Sequence, residues 1–258
     1  MAALIPLDIS DGVAHLTFAR PDRLNAFDFE MGQQYRDACV AATSSPDVRA
    51  ILITAQGPAF CAGGDVLAMA GARVSGTQVT AGAHVIHAGI TALLESAVPV
   101  VLAARGAVAG GGIGLMLAAD SVVAGEDLRM AGKYADIGLT PDLGVSTLLS
   151  RAVGERRALT LLLTSRELDA ETALEWGAVA EVAADPEARA REVALTWGAG
   201  AAGALGQAKR LVRASAHRPV GDSLADEATS IGAAFDGEEA RQRIAAFAAA
   251  SAARGGSR

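Results

Sequence analysis

GAVAGGGIG (106–114) lies between the apolar run VPVVLAA (98–104) and the segment LMLAAD (115–120). Three consecutive glycines between a buried strand and a buried helix run against propensity, since each costs roughly 0.5–1 kcal/mol relative to alanine inside either element. A bare main chain must be needed there. AFCAGGD (59–65) follows the apolar run RAILITA (49–55) with the same plan of strand, glycine loop and helix. Runs that are apolar throughout are buried on both faces. Strand, loop and helix in repeated order predict parallel strands with crossover helices, an α/β fold. Each loop opens a helix and presents N–H groups that have no partner inside it, at the end where the helix dipole favours negative charge. Two such loops side by side could aim two donors at one oxygen, an oxyanion hole in which one donor is worth about 3–4 kcal/mol. The alternative is that the glycines serve tight turns and packing alone.

Outward from these loops, VAHLTFARP (13–21) alternates as a strand and stops at Pro21. Helices are expected over about 28–42 and 79–96, and a short strand at DSVVAG (120–125). Beyond Thr147 the pattern turns helical, and from Glu187 onward it is alanine-rich and almost wholly so. We therefore expect a core over 1–195 and a helical region over 196–258, with the tail SAARGGSR (251–258) frayed.

The chain has 258 residues, half of them apolar, and a net charge of −7. The charge argues against a nucleic-acid partner, because such binding is dominated by phosphate contacts. Cys39 and Cys61 supply neither a disulfide framework nor a metal quartet and read as small buried side chains; no metal is expected. MAALIPLDISDG lacks the features of a signal peptide, and no window reaches eighteen uninterrupted apolar residues. The expectation is a cytoplasmic protein with no membrane partner. The glycines do not fit the dinucleotide fingerprint, since Leu115 stands where its last glycine belongs, and no phosphate-binding P-loop occurs.

Six segments taken in order resemble the crotonase superfamily, the enoyl-CoA hydratase/isomerase family. They are LTFARPDRLNAFD with Arg20, Pro21, Asn25 and Ala26, then AFCAGGDV, AVAGGGIGLMLAAD ending in Asp120, IGLTPDLGVSTLLSRAVG, LTSRELDAETALEWGAVAEV and FDGEEARQRIAAF. The resemblance implies a spiral of ββα units with a C-terminal all-helical region that drives trimer formation, as a homotrimer or a dimer of trimers. It implies an acyl-CoA thioester substrate, with coenzyme A present as part of that substrate and no permanently bound cofactor. The thioester oxygen would be held by the N–H groups of Gly64 and Gly111. Loops 23–26 and 62–65, containing Arg23, Ala26, Ala62 and Asp65, would contact the CoA nucleotide. Arg23 is a candidate phosphate partner, with a solvated surface cation as the alternative.

Hydratases of this family use two glutamates, whose places here hold Gly114 and Tyr134. Neither does carboxylate chemistry, and a phenol with a reference pKa of about 10 is a poor base at neutral pH. Tyr134 reads instead as a wall of the acyl pocket. One carboxylate remains, Asp142 in GLTPD, which resembles the Asp that follows the Pro in several isomerase branches and would shuttle a proton beside the thioester. Burial of Asp142 would raise its pKa toward the range such a shuttle needs. Its alternative is a cap for the helix beginning near Ser146. Aryl-CoA dehalogenases carry an Asp there as a nucleophile, together with a histidine at the place of His87. For His87, three residues after His84, the alternative is a polar-edge helix residue; for Asp120, a structural role is expected. GAHVIHAG (82–89) and VLAMAGARVSG (66–76) are expected to shape the acyl pocket. The reading is an acyl-CoA enzyme with isomerisation favoured. A non-catalytic acyl-CoA carrier or sensor and dehalogenase-like chemistry are the alternatives.

Overall fold

Alternation at VAHLTF and unbroken apolar runs at AILITA, VVLAA and SVVAG lay down one sheet in the computed structural model, which describes residues 3–216 and 218–255. Its six strands lie in the order β1 (Leu7–Ser10), β2 (Val13–Phe18), β3 (Ala50–Ala55), β4 (Val100–Ala104), β6 (Ser121–Gly125) and β9 (Glu181–Ala183). A smaller sheet joins β5 (Ala107–Ala109), β7 (Arg129–Ala131) and β8 (Glu167–Asp169). β1 pairs antiparallel with β2 and every other pair in the large sheet is parallel. After β4 the chain crosses to the small sheet as β5 and enters a helix, and β6 is followed in the same way by β7, so the ββα spiral is what is found.

Both faces of the large sheet are covered at β3, β4 and β6, which is why these strands lack polar alternation. Ile51 and Ile53 of β3 and Leu102 of β4 enter the main core with the helices α1 (Phe29–Ser44), α3 (Gly76–Glu95) and α4 (Gly111–Leu117). Ala50, Leu52, Val101 and Ala103 point the other way and pack against Ala190 and Ala194 of α8 (Pro186–Ala199). α1 starts where expected because the Asp28 side chain accepts from Met31 N at 2.9 Å. α3 starts three residues earlier than its apolar pattern suggests, because Ser75 and Gln78 form a capping box.

α2 (Val66–Gly71) follows the first glycine loop, and α5 (Val145–Val153), α6 (Glu155–Leu163) and α7 (Ala170–Trp176) lead back to the sheet. α8 runs unbroken across positions 195 and 196 and ends before Gly200. α9 (Ala202–Ser215) is tied to the core by Asp120, which ion-pairs with Lys209 at 2.9 Å and with Arg213 and accepts from Val100 N at 2.9 Å. The structural role read for Asp120 is the one it has. α10 (Val220–Phe235) buries none of its residues, and Leu224, Ile231 and Phe235 are exposed. α11 (Glu238–Gly255) carries the helix into the segment expected to fray, since its alanines favour helix strongly; residues 256–258 of that segment lie outside the described residues. Among the described residues no helix is long and apolar enough to cross a membrane.

Candidate active site

The two glycine loops are hydrogen-bonded to each other along their main chains. Phe60 N donates to Arg105 O at 2.9 Å, Cys61 N to Ala107 O at 3.2 Å and Ala109 N to Cys61 O at 3.0 Å. This close approach explains Gly63, Gly106 and Gly112 by packing, a Cβ on Gly63 standing 2.9 Å from Ala109 O. A Cβ on Gly106, where φ is +54°, would stand 1.9 Å from Pro58 O, and one on Gly112 would stand 2.3 Å from Cys61 O. The bland reading therefore holds for those three positions. At Gly111 a Cβ would likewise meet Leu143 Cδ1 at 2.7 Å, but packing gives no account of the N–H groups of Gly64 and Gly111.

Gly111 opens α4, so its N–H has no intrahelical partner. The Gly64 N–H falls between two bonds that flank it, Phe27 N to Gly63 O at 2.8 Å and Asp65 N to Phe27 O at 2.9 Å. Neither the Gly64 nor the Gly111 amide has a hydrogen-bond partner among the described residues. The loops that carry them touch, since a Cβ on Gly63 would lie 3.3 Å from Gly111 N. Gly64 is exposed and Gly111 buried. Cys61, in the first glycine loop, is no nucleophile at neutral pH. Burial pushes its thiol up to about 12, and the thiol donates to Asn25 O at 3.2 Å.

Asp142 comes to this place from the turn before α5. A Cβ on Gly111 would lie 3.4 Å from Asp142 Oδ1. Tyr134 OH donates to that same Oδ1 at 2.6 Å and accepts from Asp142 N at 3.2 Å. Burial, reinforced by the adjacent Asp142 carboxylate, pushes the Tyr134 phenol far above its ordinary value, so it stays protonated and donates. Asp142 itself is exposed, not buried: it sits on a surface turn, and the burial considered for it is absent. Nor does its side chain cap α5, whose N-cap is Gly144. The next residue, Leu143, has φ +48°, a left-handed backbone that costs a bulky residue on the order of 1 kcal/mol. Its N–H donates to His87 Nε2 at 3.2 Å, so His87 belongs to the site.

The other residues read as CoA contacts lie in a neighbouring ion-pair cluster. Asp65 is buried, caps α2 by accepting from Ala68 N at 3.0 Å, and pairs with Arg20 at 2.8 Å and Arg23 at 3.2 Å. Burial alone would raise its pKa; the Ala68 N–H and the two guanidiniums outweigh that and hold the carboxyl below its ordinary value. Arg23 is thus paired internally, with 41% of its side chain exposed. Ala26 is buried and its carbonyl accepts from Arg20 Nη1 at 2.7 Å, while Ala62 N donates to Leu24 O at 3.0 Å.

Gly64, Asp142 and Leu143 border a cavity of about 180 Å³, otherwise walled chiefly by apolar side chains of α1, α2 and α3 such as Phe29, Met69 and Ile86. The two segments expected to shape a pocket, 66–76 and 82–89, do line it, through Ala72, Val74, Gly82 and Ala83 among others. Tyr134 does not. Its ring lies against Gly110 and its hydroxyl is turned to Asp142. A second carboxylate on this cavity, Asp28, was not singled out as a site residue. It is committed to capping α1 and to Arg20 at 3.1 Å. Its position at a helix start was the signal available for it. Among the described residues no group of three His, Cys, Asp or Glu side chains could hold a metal.

A profile of the enoyl-CoA hydratase/isomerase family matches residues 8–251. The chain is 38% identical to a probable enoyl-CoA hydratase of Mycobacterium tuberculosis, over 73% of each chain. It is 34% identical to the 1,2-epoxyphenylacetyl-CoA isomerase of Escherichia coli, over 72% of this chain and 71% of that one. A crystal structure assigned to an enoyl-CoA hydratase/isomerase of Mycobacterium abscessus superposes with a TM-score of 0.91 at 32% identity, over 95% of this chain and 96% of the other.

Proposed function

The chain belongs to the enoyl-CoA hydratase/isomerase family, and we propose that it isomerises an acyl-CoA thioester through an enolate, with Asp142 moving the proton. The observation that carries this reading is that the unpartnered Gly64 amide and the Asp142 carboxylate border one apolar cavity, with the unpartnered Gly111 amide on the residue beside Asp142 Oδ1. The thioester oxygen accepts from both amides. The Asp142 carboxylate takes a proton from an acyl carbon, the electrons of that C–H bond pass into the thioester, and charge collects on the oxygen where the amides stabilise it. Returning the proton to another carbon shifts the double bond. A single carboxylate suffices for such a shuttle, which typically contributes 10²–10⁴-fold. Tyr134 holds Asp142 Oδ1 by a charge-assisted bond and leaves Oδ2 unbonded among the described residues.

The cavity supports an acyl group of middling size. A cavity of about 150 Å³ holds benzene, so one of about 180 Å³ suits about six to eight carbons, aliphatic or aryl. The bare apolar face of α10 supports assembly through the C-terminal helices, as a trimer or a dimer of trimers; a monomer by light scattering would contradict this.

The test is a panel of enoyl-, dienoyl- and aryl-CoA esters assayed with the wild type and with Asp142→Asn. We expect turnover on part of the panel, lost in D142N while ester affinity persists. Unchanged turnover in D142N refutes the role of Asp142. Binding of esters without turnover of any favours the carrier reading.

A further inference from the structure

We infer that His87 is a positioning residue that fixes the Asp142 carboxylate by holding the Leu143 main chain through Nε2, and that it takes no part in proton transfer to substrate. The inference rests on the role proposed for Asp142.

Asp142 is exposed, and an exposed carboxylate on a turn does not hold a direction unless the turn is clamped. Here the clamp has three parts drawn from three elements. Tyr134 OH bonds both Oδ1 and the amide of Asp142. From α4, Gly114 offers a bare main chain to Leu143 O: a Cβ there would stand 2.0 Å from that oxygen. From α3, fifty-six residues away in the chain, His87 Nε2 accepts from Leu143 N–H at 3.2 Å. The amide that His87 holds belongs to the residue in the left-handed conformation, φ +48°. Such a backbone persists only where surroundings over-determine it. Without the imidazole, the Leu143 N–H loses its one bond and the turn is free to relax toward an ordinary φ, carrying Asp142 away from Gly111.

An imidazole that accepts through Nε2 carries its proton on Nδ1, and its lone pair is occupied. This arrangement argues against His87 as a general base, the part the dehalogenase-like alternative would give it. His84, whose ring lies 5.9 Å away and perpendicular, makes no bond to this turn.

The test replaces His87 with Gln, Asn and Phe in the full chain. Glutamine places a carbonyl oxygen near the Nε2 position; asparagine stops short of it and phenylalanine keeps ring volume without an acceptor. Hydrogen exchange at the Leu143 amide should accelerate roughly 10-fold in H87F and H87N and stay near the wild-type rate in H87Q. With any ester the wild type turns over, kcat should fall roughly 10- to 100-fold in H87F with KM nearly unchanged, and H87Q should recover most of it. Unaltered Leu143 exchange in H87F overturns the inference. So does an H87Q that protects the Leu143 amide yet stays as slow as H87F, because His87 would then act on substrate. Should H87F not fold, H87N against H87Q carries the same contrast. A wild type that turns over no ester defeats the reading of Asp142, while the exchange measurement still decides whether His87 holds the turn.

Discussion

Gly112→Ala separates the two uses of glycine in the loop that decides this fold. The residue is helical, so alanine would gain up to about 1 kcal/mol of propensity. Against that, the added Cβ would lie 2.3 Å from Cys61 O, where contacts below 3.0 Å are essentially never found, so the two main chains must part by about 0.7 Å. Forcing a methyl into a packed interior costs about 1–3 kcal/mol, so the net effect is a loss of up to about 2 kcal/mol. The carbonyl that has to move is the one holding Ala109 N, within the zipper that carries Gly64 on one side and Gly111 on the other. A misplacement near 1 Å costs about 10²-fold in rate, and a lost oxyanion donor about 10²–10³-fold in kcat. We therefore expect kcat/KM to fall about 10- to 100-fold in a folded protein with a slightly lowered Tm. Steady-state kinetics on the best ester and thermal unfolding measure both, with Gly76→Ala as control, since a Cβ there meets nothing within 4 Å. If G112A matches G76A in both rate and Tm, the loops do not work as a unit and the oxyanion reading loses its basis.

Two further outcomes follow from other parts of the site. Asp65→Asn should destabilise by about 2 kcal/mol at pH 7, because it removes the charge-assisted bonds to Arg20 and Arg23, and Arg20 keeps Asp28 as its ion-pair partner. The Asp65 carboxyl is held below its unfolded value of about 3.9, so its contribution is present above that pH and lost as pH falls through the folded value. Urea midpoints should accordingly differ less between wild type and D65N at pH 3 than at pH 7; an equal gap at both would remove the ionic explanation. Ala83→Leu fills the cavity with three extra carbons, so kcat/KM should fall at least about 10-fold for esters of about eight carbons while a four-carbon ester is nearly spared. Equal losses for both lengths would mean that this cavity does not hold the acyl chain.

Much of the fold was legible because its determinants are local. Apolar runs placed β3, β4 and β6, Asp28 marked the start of α1, and the order of strand, loop and helix gave the parallel sheet. The glycine loops showed that two main chains had to come close. They could not show which glycines serve that contact and which leave an amide unpartnered, because Gly112 and Gly111 are neighbours distinguished only by what stands opposite. Arg23 looked available for a phosphate since nothing in the chain announces that Asp65, forty-two residues later, pairs with it. His87 and Leu143 are further apart still, and a leucine amide carries no chemical signature. Nor does the sequence announce that the Tyr134 hydroxyl donates to Asp142, eight residues on.

Gly114 shows why a missing acid need not mean a decayed site. Leu143 O and a Cβ at position 114 compete for one volume, since they would be 2.0 Å apart. A glutamate at 114 and the present turn of Asp142 are therefore mutually exclusive. A chain with a side chain there would have to carry its 142–144 turn elsewhere, and the contacts of His87 and Tyr134 with that turn would go with it. Removing a glutamate by drift would leave a hole lined by unsatisfied groups. Here the space is filled by main chain, the left-handed Leu143 is bonded, and the phenol at 134 points at a carboxylate. Glycine at 114 and aspartate at 142 are thus better understood as one arrangement than as a loss and an accident, which is what the proposal of a single proton carrier requires.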